Sequence, residues 1–208
     1  MLIGSHNSLS YLPPKKWWMK PFHWMARCQR VDYKKQYALG VRVFDLRIWF
    51  DKCYRVQIRH GQMEFKIPKG FDGEQYVAKF LRYLDTQGGC AVRVILEEDD
   101  ILEQLPYADK AEEYFHDWCI VYAYRYKKIK FFGGNRKYDW KVLYDFGNDI
   151  SLDDKYSSTT SLFKTNKWQW LRYVDDLWPW LYARLHNKKN FKKGTDKECL
   201  FVDFVDMQ

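Results

Sequence analysis

Gly40-Val41-Arg42-Val43-Phe44-Asp45-Leu46-Arg47-Ile48 is the stretch on which the fold turns. Its β-branched, alternating residues predict a strand over Val41–Ile48. Val41, Val43, Asp45 and Arg47 share one face, and Arg42, Phe44, Leu46 and Ile48 the other, because successive side chains of a strand point to opposite sides. A face that starts with two valines and ends with an acid and a base is not a plain core face. Charges gathered at the C-terminal end of an inward face point to a site. Upstream, Gln29–Leu39 reads as a helix that Gly40 stops.

Outward from that strand the chain alternates. Leu2–Ser5 reads as a brief buried strand with His6 directly after it. Pro13-Pro14 excludes helix and central strand from the Trp- and Lys-rich segment Tyr11–Lys20. Tyr54–His60 is a strand ended by Gly61. Gly73–Asp85 is a helix, with Tyr76, Phe80, Leu81 and Leu84 at helical spacing and Gly88-Gly89 closing it. Ala91–Glu97 is a strand with Arg93, Ile95 and Glu97 on one face. Ile101–Tyr126 reads mainly as helix, interrupted near Pro106. Two strands follow, Ile129–Phe132 and Trp140–Phe146, with Gly133-Gly134-Asn135 between them. Asp149–Lys167 is polar and rich in Ser and Thr, a loop or lid. Trp168–Leu185 carries four tryptophans and is a helix candidate in which Pro179 marks a kink or a boundary. Asn187–Lys197 is a basic loop, and Leu200–Val205 a last strand containing Asp203. Strands alternating with helices predict an α/β fold with a parallel sheet. No break in composition divides the chain, so residues 1–208 are expected to form one domain.

The chain has 208 residues, 19% of them aromatic, enough apolar surface to exclude a disordered class. A net charge of +8 favours anionic partners: phosphoesters, an anionic membrane or nucleic acid. Five dispersed cysteines without a CxxC pair read as reduced thiols rather than a disulfide framework. No signal peptide precedes the first strand and no apolar run is long enough to span a membrane, so a cytoplasmic location is expected.

Ile3-Gly4-Ser5-His6-Asn7-Ser8, then Gly40 to Arg47, then Arg59-His60-Gly61 resemble the successive signatures of the phosphatidylinositol-specific phospholipase C catalytic domain. Val94-Ile95-Leu96-Glu97 and Phe201-Val202-Asp203-Phe204-Val205 are similar to two later strands of that domain, whereas residues 100–198 match poorly. The resemblance implies a small, distorted TIM-type (β/α) barrel with the site at the C-terminal ends of its strands. It implies cleavage of a phosphodiester by an internal hydroxyl, through a cyclic phosphate. Carried over by position, His6 takes the proton from that hydroxyl and His60 protonates the leaving oxygen. Asp203 orients His6, and Asp45 supports Arg47 or His60. Arg93 and Glu97 are candidate substrate-binding residues, Glu97 equally a partner of Arg47.

The chemistry is consistent with these residue types. Histidine titrates near neutral pH, so one neutral and one protonated imidazole can exchange protons with a substrate. A planar guanidinium at Arg47 can bind two phosphoryl oxygens. Each residue also has a structural reading: Asp45 and Arg47 as an ion pair, Asp203 as a solvated strand-end carboxylate, and His23, His116 and His186 as ordinary structural histidines. Calcium-dependent members of the family hold the ion at positions matching Asn7, Asp45, Arg47 and Glu97. Arg47 replaces an oxygen ligand with a positive charge, so no cofactor is expected; a calcium-dependent form would rest on Asn7, Asp45 and Glu97. The expected partner is a phosphodiester, an inositol phospholipid among the candidates. Lys15-Lys16-Trp17-Trp18-Met19-Lys20 suits peripheral contact with an anionic membrane, or a packed loop with solvated lysines. The rivals are an intracellular phosphodiesterase for glycerophosphodiesters or cyclic nucleotides, and a non-catalytic basic module binding nucleic acid or membrane. The two histidines and Arg47 together count against the latter.

Overall fold

The computed structural model describes residues 2–97, 108–135, 142–145, 156–158, 178–193 and 199–207. Its sheet is built around β2 (Val41–Phe50), which pairs in parallel with β1 (Leu2–Ser5) on one edge and β5 (Cys90–Leu96) on the other. Beyond β5 lie β6 (Ile129–Asn135), parallel, and β7 (Val142–Asp145), antiparallel. Beyond β1 lie β9 (Cys199–Val202) and β8 (Tyr156–Ser158), both parallel. The order is therefore β7-β6-β5-β2-β1-β9-β8. The hairpin of β3 (Val56–His60) and β4 (Met63–Glu64) adds to the upper half of β2, antiparallel, with Ile48 opposite Ile58. Ile48 also pairs with Leu96 of β5, so β3 takes the edge of β2 that the shorter β1 leaves.

The two faces of the sheet carry different matter. Phe44, Leu46, Ile48, Val92, Val94 and Leu96 join the main core, packed on helices α3 (Gly73–Gln87) and α4 (Ala108–Arg125). The opposite face has a small separate cluster, Val43, Cys199 and Phe201 with Ala91 against it. Above that cluster, toward the C-terminal strand ends, the same face is charged: Asp45, Arg47 and Arg93 are all buried. Gly4 makes the close packing below possible. A Cβ there would lie 2.8 Å from the Phe201 ring, which in turn stacks on the Arg93 guanidinium at 4.4 Å.

Helix α3 starts on a reciprocal cap in which the Asp72 carboxylate accepts from Gln75 N at 2.7 Å and the Gln75 side chain accepts from Asp72 N at 3.1 Å. Its first residue must be glycine, because a Cβ on Gly73 would fall 1.8 Å from the Val56 carbonyl oxygen. The apolar stripe Tyr76, Val77, Phe80, Leu81 and Leu84 is buried, as its spacing predicts. Two short helices, α1 (His23–Ala26) and α2 (Tyr33–Ala38), lie between β1 and β2.

Several elements differ from expectation. The helix expected over 29–39 is confined to α2, because Asp32 caps it by accepting from Lys35 N at 2.8 Å. Gly133 and Gly134 belong to β6 rather than to a turn, at a register shift against β7 where side-chain-free residues are tolerated. Asp203 follows β9 rather than lying inside it. Pro179 is the first residue of α5 (Pro179–Lys193), the boundary that is one of its two expected readings, and its missing N–H costs nothing there; α5 continues through residues 187–193, where a basic loop is expected. Pro106, Trp140, Trp168, Trp170 and most of the expected polar loop at 149–167 lie outside the described residues. Among the described residues no helix is long and apolar enough to cross a membrane.

Candidate active site

Five strands deliver side chains to one place. β1 ends at Ser5 and is followed by His6. β2 contributes Asp45 and Arg47, β5 contributes Arg93 with Glu97 just after it, β3 ends at His60, and β9 is followed by Asp203. Parallel pairing puts the C-terminal ends of β1, β2, β5 and β9 on the same edge of the sheet. The antiparallel β3 reaches that edge only because it runs back from the top of β2.

Asp45 is the central acceptor. Its carboxylate accepts from Arg47 Nε at 2.9 Å, Arg93 Nε at 3.1 Å and the backbone N–H of Asn7 at 3.0 Å. Burial opposes its ionisation, but Arg47 and Arg93 outweigh burial and hold the carboxyl well below its ordinary range. Arg47 is buried too, and Asp45 and Glu97 more than offset the cost of burying its charge. Arg47 Nη1 donates to Glu97 Oε1 at 2.9 Å, and Nη2 donates to His6 Nε2. Two of the three guanidinium nitrogens are thus directed at carboxylates, which fixes the plane of the group and turns Nη2 toward His6.

His6 Nδ1 lies 2.7 Å from Asp203 Oδ1. Since a guanidinium can only donate, Nε2 is the accepting nitrogen of His6 and Nδ1 carries the hydrogen toward Asp203. His60 stands across from it, ring centroids 5.9 Å apart and planes at 88°. Its Nδ1 donates to the Ala26 carbonyl at 3.0 Å. Burial, with Arg47 adding to it, lowers the His60 pKa to about 4. Glu97 ties the two halves together: its other oxygen accepts from Gly61 N at 3.1 Å. Gly61 has φ of 54°, the left-handed region that glycine enters without strain.

All the residues singled out from sequence for the site, His6, Asp45, Arg47, His60, Arg93, Glu97 and Asp203, are brought together. Arg93 lies one layer below, between Asp45 and the Phe201 ring, so it supports the site instead of facing open space. His23 lines a separate cavity of about 480 Å³ with Lys20, Trp24, Arg27 and Trp178. His116 pairs with Asp117, its sequence neighbour.

Asn7, Asp45 and Glu97 do not make a calcium cage. Calcium takes six to eight oxygen ligands, and here the Arg47 guanidinium lies between two of the carboxylates and donates to both. The Asn7 side chain is fully buried, and neither of its amide atoms has a hydrogen-bond partner among the described residues.

Sequence reading missed Gln29 and Cys28. Gln29 is buried and knots the rim, its Nε2 donating to His6 O at 3.0 Å and Val202 O at 2.8 Å, while its Oε1 accepts from Val205 N at 3.1 Å. Cys28 Sγ lies 4.0 Å from His60 Nδ1. Neither belongs to a pattern or spacing that sequence alone could reveal.

No protein-family model matches the sequence, and no curated protein matches it. Solved structures do. The H258Y mutant of the phosphatidylinositol-specific phospholipase C from Staphylococcus aureus superposes with a TM-score of 0.55 at 15% identity, covering 98% of this chain and 84% of that one. The corresponding enzyme from Listeria monocytogenes gives a TM-score of 0.52 at 15% identity, covering 98% and 87%. Another structure of the Staphylococcus aureus enzyme aligns over only 64% of this chain and 46% of its own, with a TM-score of 0.41. The element order, the convergence of strand ends on one edge and the full-length superpositions agree: the chain has the fold of the bacterial phosphatidylinositol-specific phospholipases C.

Proposed function

We propose that the protein is a phosphodiesterase that cleaves its substrate by attack of an internal hydroxyl, with His6 as general base and His60 as general acid. The observation that carries this reading is the approach of the two imidazoles to each other beside Arg47, edge to face with ring centroids 5.9 Å apart. Arg47 Nη2 turns from His6 Nε2 to the phosphoryl oxygens when substrate binds, and the freed Nε2 takes the hydroxyl proton as that oxygen bonds to phosphorus; the bond to the leaving oxygen breaks, and His60 gives that oxygen a proton. The products are a cyclic phosphodiester and an alcohol. Asp203 steadies the imidazolium formed at His6. Arg47 Nη2 lies beside the place where charge grows on the phosphoryl oxygens, and such fixed donors are worth most where charge develops.

Arg47 takes the part of a metal ion in this reading. Its pairs with Asp45 and Glu97 support a metal-independent reaction, in which chelators leave the rate unchanged. An inositol phospholipid is the substrate the fold suggests. Closure of the sheet into a distorted barrel fits the small apolar cluster on its inner face, capped by charge. Peripheral membrane contact is supported by Trp17, Trp18 and Phe22, which are 75%, 51% and 52% exposed among lysines on the rim of the site.

The deciding experiment is a panel of phosphodiesters (inositol lipid, glycerophosphodiesters, cyclic nucleotides) followed by phosphorus NMR. A cyclic phosphate product is expected from one class. His6→Ala and His60→Ala should each lower turnover by about 10²–10⁴-fold with the fold retained. Turnover near that of the parent in either variant removes the mechanism.

A further inference from the structure

Cys28 has no part in the proposed reaction, yet it sits in the middle of the site. It is fully buried, 4.0 Å from His60 Nδ1, and its backbone N–H donates to Ser10 Oγ at 3.0 Å while its carbonyl accepts from Phe204 N at 2.6 Å. Those bonds fix the backbone on both sides of the thiol. One nitrogen of His6, one of His60 and the Cys28 sulfur all lie within 4.8 Å of one another.

We propose that His6, Cys28 and His60 form a binding site for a borderline-soft divalent cation of the zinc class, and that occupation of this site switches the enzyme off. The inference rests on the reading of His6 and His60 as the acid–base pair for its regulatory part; the metal site itself does not need that reading. Two imidazoles and one thiolate are a ligand set that zinc prefers and calcium and magnesium do not. Zinc bonds of about 2.0–2.3 Å in tetrahedral geometry require the three donors to close by roughly 1 Å. Side-chain rotation of the two partly exposed histidines supplies this, with His6 exchanging its Arg47 donor at Nε2 for the ion and keeping Asp203 at Nδ1. The fourth position remains for water or a phosphoryl oxygen.

Charge decides whether a cation can be held beside Arg47. Asp45, Glu97 and Asp203 face Arg47 and Arg93 around the site, three carboxylates against two guanidiniums. Binding converts the Cys28 thiol to a thiolate and releases its proton to solvent, so the ion, the thiolate and the surplus carboxylate balance. The open cavity of about 400 Å³ lined by Met19, Phe22, Met25 and His60 gives the ion a way in. Once bound, the metal takes a lone pair from each imidazole, so neither can accept or deliver a proton to the substrate.

Cobalt(II) is the probe. Titrated into the full chain, it should give a thiolate-to-cobalt charge-transfer band in the near ultraviolet and visible bands of tetrahedral geometry. The Cys28→Ser and His60→Ala variants should each weaken binding by at least about tenfold, the loss expected for removing a ligand. Cys53→Ser, at the exposed cysteine, should leave the band intact. Zinc should inhibit the parent reversibly, with chelator restoring the rate, and Cys28→Ser should need at least about tenfold more zinc for the same fractional inhibition, each protein compared with its own metal-free rate. Circular dichroism of Cys28→Ser and Cys28→Ala identifies a variant that keeps the fold for this comparison. A Cys28-dependent band in a protein that hydrolyses no phosphodiester supports the metal site and removes the function. Absence of the band in the parent, or zinc inhibition undiminished in Cys28→Ser, overturns the site while leaving the acid–base reading untouched.

Discussion

At His60 the surroundings oppose the proton that the proposed reaction asks it to donate. Burial and then Arg47 bring its pKa down to about 4 in the free protein. A phosphodiester anion bound between His60 and Arg47 adds negative charge, favours the protonated imidazole and raises that value. The alkaline limb of kcat/KM, which reports the free enzyme, should therefore lie at lower pH than the alkaline limb of kcat, which reports the complex. Coincident limbs in pH–rate profiles would contradict this. The same shift has a consequence for stability. Unfolded His60 binds its proton near pH 6.5 and folded His60 near 4, so the contribution is present above 6.5 and lost as pH falls toward 4. Urea unfolding across that window should show a loss of at most about 3 kcal/mol that His60→Gln removes. Arg47→Lys tests the neighbouring residue. Lysine keeps the charge but not the planar fork that reaches Asp45, Glu97 and His6 together, and kcat should fall by about 10²–10³-fold.

Between elements, the site depends on two contacts that carry no chemistry. Gln29 satisfies three backbone groups of β9 and of the loops after β1 and β9. Gln29→Ala takes the side-chain partner from the His6 carbonyl and the Val205 N–H, while the Val202 carbonyl keeps the His6 N–H at 3.1 Å; it should cost about 2–4 kcal/mol, read as a lower urea midpoint, with reduced turnover in the proposed reaction because His6 and Asp203 lose their mutual position. Gly73 is the point where α3 meets β3. Its replacement by alanine drives a Cβ into the Val56 carbonyl, and the helix or β3 must move. Gly73→Ala should destabilise by at least about 2 kcal/mol and shift His60, which β3 carries. These contacts mark the limit of what the sequence told. Strand β2 and the helix α3 were legible because their periods of 2 and 3.6 are local properties. The charged end of β2 and the two histidines were legible through the resemblance of their ordered stretches to the phospholipase C signatures, since each residue alone also has a structural reading. Gln29 and Cys28 were not, since nothing in their neighbours reports a partner over 170 residues away or a thiol placed beside His60. Pro179 was legible as a break because its ring fits only the first turn of a helix, and of its two readings, kink or boundary, the start of α5 is the second.

For the whole molecule, basic charge and rim aromatics set the expected behaviour at a surface. Vesicles of anionic lipid should sediment the protein, binding should weaken with added salt, and Trp17→Ala with Trp18→Ala should reduce it further. Retention of all binding at high salt, or none at low salt, would separate the rim from membrane contact. The pairing of β1 with β9 has an effect of another kind. The hydrogen bond between His6 and Asp203 joins residues 197 positions apart. On the ribosome, His6 is made 197 residues before its carboxylate partner. A nascent or prematurely terminated polypeptide holds the base without the group that orients it. In the proposed reaction, competence is thereby tied to synthesis as far as Asp203, and a chain cut short before it would be spared from acting on the first phosphodiester it meets.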